Sequence, residues 1–123
     1  MKQALVIDDS RVMRTILTRL LTGLDFTVVQ AGDGAEAMQL LEDGVEPDVV
    51  LVDWNMPVMD GLTFIKRCRA NPDYRDLVLM MVTTESEQSQ IVRAMAAGAH
   101  EYVIKPFTEA DIAEKLALLG LLD

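Results

Sequence analysis

The sequence predicts a doubly wound α/β fold, in which a five-stranded parallel sheet carries helices on both faces. Five short apolar runs alternate along the chain with five longer segments that have helical periodicity. Such continuous apolar runs are typical of parallel strands covered on both faces. Right-handed crossovers then distribute the helices over the two sides. Of the common strand orders, 2-1-3-4-5 fits a chain of 123 residues.

The predicted strands are rich in Val, Ile and Leu. They comprise residues 4–7, 26–29, 49–52, 77–82 and 102–104. The run over residues 49–52 is unbroken and mostly β-branched, which favours a central, fully buried strand. It ends abruptly at Asp53, and the chain then turns through Asn55 and Pro57. Since ligands bind beyond the carboxyl ends of parallel strands, Asp53 is predicted to lie where chemistry occurs.

Polar residues with capping potential mark the predicted helix starts, and glycines mark several ends. The starts are Ser10, Asp33, Asp60, Thr84 and Thr108, and the ends include Gly23, Gly44 and Gly98. Thr84 and Glu87 have the spacing of a capping box. The apolar faces predicted to point inward include Ile16 and Leu17 in the first helix, Ala94 and Met95 in the fourth, and Ile112, Leu116 and Leu119 in the last.

Composition narrows the class of protein. The length predicts one domain over residues 1–123. A net charge of −9 argues against nucleic-acid binding and against docking on anionic lipid, because both need clustered Lys and Arg. The single cysteine, Cys68, excludes an intrachain disulfide and fits a reducing cytoplasm. No segment predicts a signal peptide or a membrane span, so we expect a cytoplasmic protein.

Four of the five predicted strands end in residues that carry chemistry. Asp8 and Asp9 follow the first strand, Asp53 the third, Thr83 the fourth and Lys105 the fifth. In the 2-1-3-4-5 order the first and third strands are neighbours, about 4.8 Å apart, so three carboxylates converge. Each ionised pair costs about 3 kcal/mol at an effective dielectric near 20. The cluster therefore predicts either proton uptake or a bound cation.

These residue types together favour phosphoryl transfer. Oxygen-only ligands point to Mg²⁺, while Lys105 and the Thr83 hydroxyl would stabilise phosphoryl oxygens. Asp53 is the best candidate nucleophile, since no Ser, Cys or His is placed to serve. Taken singly, Asp53 and Thr83 also fit ordinary turn residues, and Lys105 fits a solvated surface charge. The combination on four strand ends is what makes the pattern specific.

Four motifs resemble the response-regulator receiver domains of two-component signalling, most closely the single-domain, CheY-type chemotaxis regulators. They are VIDDS at residues 6–10, VDWNMPVMDG at 52–61, MVT at 81–83 and YVIKPF at 102–107. The resemblance extends over essentially the whole chain and implies a flavodoxin-like (CheY-like) fold. Three residues depart from the usual chemotaxis pattern. They are Ser10 in place of an aromatic residue, Thr84 in place of a smaller one, and His100, interpreted as an exposed loop histidine.

The resemblance implies a phosphoacceptor and its metal site. Asp53 would accept a phosphoryl group from a histidine kinase or from a small donor such as acetyl phosphate. Asp9, Asp53 and the backbone carbonyl of Asn55 would bind Mg²⁺, with Asp8 acting mostly through a water molecule. The domain would catalyse only its own phosphorylation and dephosphorylation, so it is not expected to be an enzyme in the usual sense.

The resemblance also implies a conformational switch. Thr83 would move toward the phosphoryl group and Tyr102 would turn inward, which changes the face formed by the fourth helix, fifth strand and fifth helix. Asn55 and Glu85 match positions that tune dephosphorylation. The Lys105–Pro106 bond is expected to be cis.

The expected partners are a histidine kinase, a downstream protein target such as the flagellar motor switch, and a phosphatase. The predicted partner contacts are Ile91, Ala94, Tyr102 and Lys115. A receiver that acts only as a phosphate sink, phosphorelay intermediate or interaction module is the main alternative. A flavodoxin-like cofactor binder is a distant one, because Asp8 and Asp9 would repel a cofactor phosphate. A stand-alone aspartyl phosphatase is disfavoured because the chain lacks a cap domain.

Overall fold

The computed structural model describes residues 1–122, and these form five strands and five helices in strict alternation. The strands are β1 (Lys2–Ile7), β2 (Phe26–Ala31), β3 (Val49–Val52), β4 (Leu79–Thr83) and β5 (Glu101–Ile104). The helices are α1 (Arg11–Gly23), α2 (Gly34–Glu42), α3 (Gly61–Ala70), α4 (Gln88–Ala97) and α5 (Glu109–Leu118). The fold class predicted from the sequence is confirmed.

All paired strands are parallel, and the sheet order is β2-β1-β3-β4-β5, as predicted. Ile7 is opposite Val52 across the β1–β3 pair, so these two strands end at the same level of the sheet. Because the chain reverses direction across the sheet between β1 and β3, this pair forms the switch point where ligands bind in such folds. The register therefore brings the residues after Ile7 and Val52 together.

Alternate residues of each strand belong to two separate buried clusters, one on each face of the sheet. On one face, Leu5 and Ile7 pack with α2, α3 and α4, while on the other Ala4 and Val6 pack with α1 and α5. The central strand β3 is buried along its whole length. Coverage on both faces explains why its sequence is apolar without alternation.

Several helix caps follow the sequence prediction. The side chains of Ser10, Asp33 and Asp60 each accept a backbone N–H bond in the first turn of the following helix. Thr108 and Asp111 form a reciprocal capping box at the start of α5. Each of these bonds satisfies an N–H group that has no partner within the helix.

The predicted start of α4 is wrong by three residues, because the N-cap is Glu87 rather than Thr84. The helix begins at Gln88 rather than near Thr84, and its N-cap residue, Glu87, makes no side-chain capping bond. The segment before it remains a loop because Glu85 is engaged elsewhere. The Glu85 side chain accepts a bond from Asn55, and its backbone carbonyl accepts one from Tyr102.

Strand β1 begins two residues before its predicted start, at Lys2, and two other strand boundaries also differ from the prediction by two residues. Strand β2 continues two residues further, to Ala31, because the polar Gln30 faces out of the sheet and bonds side chains of α1. Strand β4 begins at Leu79 rather than Leu77, because the Leu77 N–H closes a turn on the Tyr74 carbonyl. Local turn bonds, which an apolar run does not reveal, set this second boundary.

Two residues predicted to face the core do not. Ile16 is 45% exposed and Met95 is 40% exposed, while the neighbouring Leu17 and Ala94 are buried. Leu119 is only partly buried, in contrast to the fully buried Ile112 and Leu116. Within residues 1–122, no helix combines the length and apolar character required to cross a membrane.

Candidate phosphoacceptor and metal site

Asp8 and Asp53 are neighbours at the carboxyl edge of the sheet. The Asp53 N–H donates to the Ile7 carbonyl at 2.9 Å, and the Asp8 N–H donates to the Ala31 carbonyl at 3.1 Å. These bonds continue the strand ladders by one residue beyond β1 and β3. Both carboxyl groups are almost fully buried, which is unusual for aspartate unless it is paired or binds a cation.

Asp8, Asp9 and Asp53 form a group of carboxylates of the size that a metal ion requires. One oxygen from each residue lies within 4.8 Å of the other two. Around an octahedral Mg²⁺, adjacent ligand oxygens are about 3 Å apart and opposite ones about 4.2 Å, given metal–oxygen distances near 2.1 Å. The three carboxylates therefore fit a magnesium ion without a large rearrangement. The convergence predicted from the strand ends is present.

Lys105 places its ammonium group between the two buried carboxylates. Its Nζ lies 2.8 Å from Asp8 Oδ2 and 3.3 Å from Asp53 Oδ2. Burial alone would lower the pKa of Lys105, but the hydrogen bond to Asp8 and the negative charges of Asp53 and Asp8 outweigh it and raise the pKa. The lysine is therefore a permanent cation that offsets part of the repulsion between the carboxylates.

The backbone around Asp53 fixes its carboxyl group and the loop that follows. The Trp54 N–H donates to Asp53 Oδ1 at 2.7 Å, and the Trp54 carbonyl accepts from the Gly61 N–H at 2.9 Å. Gly61 lies so close to β3 that a Cβ atom there would be 2.1 Å from the Asp53 carbonyl oxygen. Only glycine permits this close return of the chain over the end of β3.

The loops after β3 and β4 are joined above this edge. Asn55 Nδ2 donates to Glu85 Oε1 at 2.7 Å, which brings together the two residues predicted to tune dephosphorylation. Thr83 is fully buried, and its Oγ1 accepts a long bond of 3.4 Å from the Glu85 N–H. Lys105 follows the neighbouring strand and donates its N–H to the Thr83 carbonyl at 2.8 Å.

Tyr102 connects β5 to the same loop. Its hydroxyl donates to the Glu85 carbonyl at 2.7 Å, and the ring is partly buried against the core. Burial, together with the charges of Glu85 and Asp53, raises the pKa of the Tyr102 hydroxyl to about 12. The phenol therefore stays a hydrogen-bond donor at all physiological pH values. The Lys105–Pro106 peptide bond that follows is cis, as expected.

Comparison with known proteins agrees with this geometry. A family model for the response regulator receiver domain matches residues 4–117. The chain belongs to this family. Receiver domains act in two-component signalling, and several curated relatives of the chain are named as chemotaxis proteins.

Individual relatives resemble this receiver domain over nearly its whole length. A chemotaxis protein CheY homolog of Campylobacter jejuni is 42% identical over 113 residues, which cover 91% of this chain and 87% of the relative. The solved structure of CheY4 from Vibrio cholerae, 31% identical, superposes with a TM-score of 0.89 and covers 97% of this chain and 98% of its own.

One similar structure bears on the metal. The receiver domain of a sensor histidine kinase from Pseudomonas aeruginosa is 26% identical, has a TM-score of 0.86 and covers 95% of both chains. It was solved with a magnesium ion coordinated in its active-site cleft. In this receiver domain, the carboxylates of Asp8, Asp9 and Asp53 are the groups that could hold such an ion.

The predicted partner surface of this receiver domain needs one correction. Ala94 has no accessible surface, because it is the residue through which α4 packs on the sheet, so it offers no contact to a partner. Ile91, Tyr102 and Lys115 are each partly exposed. The large apolar side chains that are exposed on α4, β5 and α5 are Val92, Met95, Ile104 and Leu118. Sequence periodicity assigned Met95 to the core and did not single out the other three.

Sequence reasoning also missed two groups that hold Asp8. The Ser10 N–H donates to Asp8 Oδ1 at 2.9 Å, while Arg14 Nη1 donates to the Asp8 carbonyl at 2.7 Å. The Arg14 guanidinium is held in turn by Gln30 of β2. Ser10 was recognisable as a helix cap, but no sequence signal distinguishes Arg14 from the other arginines of α1.

Proposed function

We propose that this receiver domain accepts a phosphoryl group on Asp53 from a histidine kinase, in a reaction that depends on Mg²⁺. The observation that carries the proposal is that Asp53 lies beside both the carboxylates of Asp8 and Asp9 and the ammonium group of Lys105. A carboxylate that belongs to a metal-binding cluster and is paired with a fixed cation can bind a dianionic phosphoryl group that it would otherwise repel.

In the transfer step, an Asp53 carboxylate oxygen forms a bond to phosphorus as the P–N bond of a phosphohistidine breaks. The bonding pair leaves with the imidazole nitrogen of the donor, and the product is an acyl phosphate on Asp53. Lys105 would pair with a phosphoryl oxygen, since its ammonium group already lies 3.3 Å from Asp53 Oδ2. Bound Mg²⁺, held by Asp8, Asp9 and Asp53, would supply further positive charge for the same oxygens.

Phosphorylation then changes the face formed by α4, β5 and α5. A shift from 1:99 to 99:1 between two states needs about 5.5 kcal/mol of differential interaction. A hydrogen bond from Thr83 to a charged phosphoryl group contributes only about 1.5–3 kcal/mol. A full switch therefore also requires Lys105 and the metal, with Tyr102 linking the loop after β4 to β5.

The output that we propose is control of a protein partner in chemotaxis, supported by the names of the similar proteins. We further propose that the domain catalyses only its own phosphorylation and dephosphorylation. Binding of a purified flagellar motor switch protein, measured with and without beryllofluoride, tests the output. Equal binding under the two conditions would favour the phosphate-sink alternative.

The phosphoacceptor is tested by incubating the protein with radiolabelled acetyl phosphate and Mg²⁺. We expect label on the wild type and on a control variant, Asp73→Ala, which changes an exposed aspartate. Asp53→Ala should carry no label, because the nucleophile is removed. Label that persists in Asp53→Ala, or peptide mapping to another residue, would refute the assignment.

A further inference from the structure

Arg93 of α4 reaches across to the residue that follows the phosphoacceptor. Its guanidinium carbon lies 5.6 Å from the centroid of the Trp54 ring, within the range of a cation–π contact. Trp54 is 7% exposed, so most of the indole is buried in the core. The Arg93 side chain is also held by a bond of 3.0 Å from its Nη1 to Gln90 Oε1.

Trp54 is directly linked to the Asp53 carboxyl group. The backbone N–H of Trp54 donates to Asp53 Oδ1 at 2.7 Å, while its backbone carbonyl accepts the Gly61 N–H. A shift of the Trp54 backbone would therefore change the support of Asp53 Oδ1 and of the loop that returns over β3. Trp54 is therefore the covalent connection between the indole ring that Arg93 of α4 contacts and the backbone N–H that supports Asp53.

Helix α4 has few other anchors. Of its ten residues, Ala94 alone is buried, and no side chain caps its first turn. Its C-terminal end is tied to α3, because Arg69 donates two bonds to the Gly98 carbonyl. Arg93 thus supplies a specific contact in the half of the helix that precedes Ala94, where little else fixes its position.

We propose that Arg93 is a positioning residue that couples α4 to Asp53 through the ring of Trp54. The inference rests on the proposed function, since it concerns the readiness of Asp53 to bind a phosphoryl group. In the structure, the Arg93–Trp54 contact coexists with the bonds that hold both oxygens of Asp53. Loss of the contact would loosen α4 and the part of the indole that Arg93 covers, and binding of a phosphoryl group would then have to restore the lost order. By linkage, a protein bound to α4 would alter affinity at Asp53 through the same contact.

The test measures Mg²⁺-dependent binding of beryllofluoride, a phosphoryl mimic, by calorimetry in three variants. Arg93→Gln removes the cation from an exposed position and should weaken binding about two- to fivefold, the equivalent of a cation–π contact of about 0.5–1 kcal/mol. Arg93→Lys should lie between this variant and the wild type. Arg67→Gln, an exposed arginine of α3, is the matched control and should bind as the wild type does.

A second measurement separates coupling from a general loss of structure. Trp54 is the single tryptophan of the chain, so acrylamide quenching of its fluorescence reports the contact without any ligand. Quenching should increase in Arg93→Gln and not in Arg67→Gln. In a Trp54→Met background, Arg93→Gln should no longer change beryllofluoride affinity.

The outcomes distinguish the inference from the proposed function. Wild-type affinity in Arg93→Gln, or an equal loss in the Arg67→Gln control, overturns the inference alone. An undiminished effect of Arg93→Gln in the Trp54→Met background also overturns it, because the route then does not pass through the ring. A wild type that binds no beryllofluoride with Mg²⁺ overturns both the proposed function and the inference.

Discussion

Val58, at the scale of a single residue, adopts a backbone conformation that a β-branched side chain seldom occupies. Its φ is +67°, in the left-handed region, and its side chain is 86% exposed. Because the valine side chain is not buried, its packing does little to offset the strain. The residue lies in the loop between Asp53 and α3, so strain is stored in the loop that follows the proposed phosphoacceptor, as is common at functional sites.

Replacement of Val58 by asparagine should stabilise the protein. Asparagine tolerates the left-handed region, so we expect the free energy of unfolding to rise by about 1 kcal/mol. Urea denaturation followed by Trp54 fluorescence measures the change. Val92→Asn is the control, because Val92 is also exposed but lies in a helix, where the two residues have similar propensity. An equal gain in both variants would show that the backbone strain is not the cause.

Among the elements, the end of α4 is held by one arginine of α3. Arg69 donates to the carbonyls of Gly98, Arg75 and Leu77, at distances of 2.6–3.1 Å. Gly98 has a φ of +124°, and a Cβ atom there would lie 2.5 Å from Arg69 Nε. The helix can end in this way only because glycine leaves space for the guanidinium group.

His100 completes this junction in its neutral form. Its Nδ1 accepts the Leu79 N–H at 3.1 Å and lies 3.3 Å from Arg69 Nη2. Burial, and then the positive charge of Arg69, lower the pKa of His100 below its usual value of 6.5. A protonated ring would present an N–H to two donors, so protonation works against the folded junction.

This junction predicts a pH dependence of stability. The unfolded chain takes up the His100 proton near pH 6.5, whereas the folded chain does so only at lower pH. The contribution of neutral His100 to the free energy of unfolding is therefore fully present above the pKa that His100 has in the unfolded chain. It is lost as the pH falls toward the lower pKa of the folded chain. We expect the urea midpoint to fall between about pH 7.5 and about pH 5.5 in the wild type, and to fall less in His100→Asn, whose amide oxygen can still accept the Leu79 N–H. A parallel fall in both proteins would contradict the role of His100.

These elements show what the sequence could and could not predict. Patterns within short segments predict the helix caps at Asp60 and Thr108. The rules of parallel sheets predict the strand order and the convergence of Asp8 with Asp53. The start of α4 cannot be predicted in this way. Glu85 lies in a loop rather than in the first turn of the helix, because it forms hydrogen bonds with residues about 17 and 30 positions away. The function of His100 depends in the same way on Arg69, which is distant in sequence.

Across the whole molecule, negative charge is both abundant and concentrated. The chain carries a net charge of −9, and three carboxylates meet at one edge of the sheet with Lys105 as the cation paired to two of them. Asp9 is exposed and forms no ion pair within residues 1–122. Its charge therefore opposes folding in the absence of a metal and favours metal binding.

Removal of this charge should stabilise the metal-free protein and reduce the further stabilisation that Mg²⁺ provides. Asp9→Asn should raise the free energy of unfolding by about 1 kcal/mol in EDTA, because it relieves repulsion at high effective dielectric. A Mg²⁺ concentration ten times the Kd of the wild type should raise the free energy of unfolding of the wild type by about 1.4 kcal/mol. The same concentration should raise that of the variant by much less. Thermal denaturation with EDTA or Mg²⁺ measures both effects, with Asp73→Asn as the control. A lower melting temperature of Asp9→Asn in EDTA would exclude net repulsion at this site.

The near contact between Gly61 and the Asp53 carbonyl has a consequence for protein engineering. Position 61 has room for a hydrogen atom and nothing larger, since any side chain would displace the loop from the end of β3. The segment that carries Trp54 and Asn55 would move with it. Libraries that aim to change the lifetime or donor specificity of this domain should therefore hold residue 61 constant and diversify the exposed positions of the loop instead.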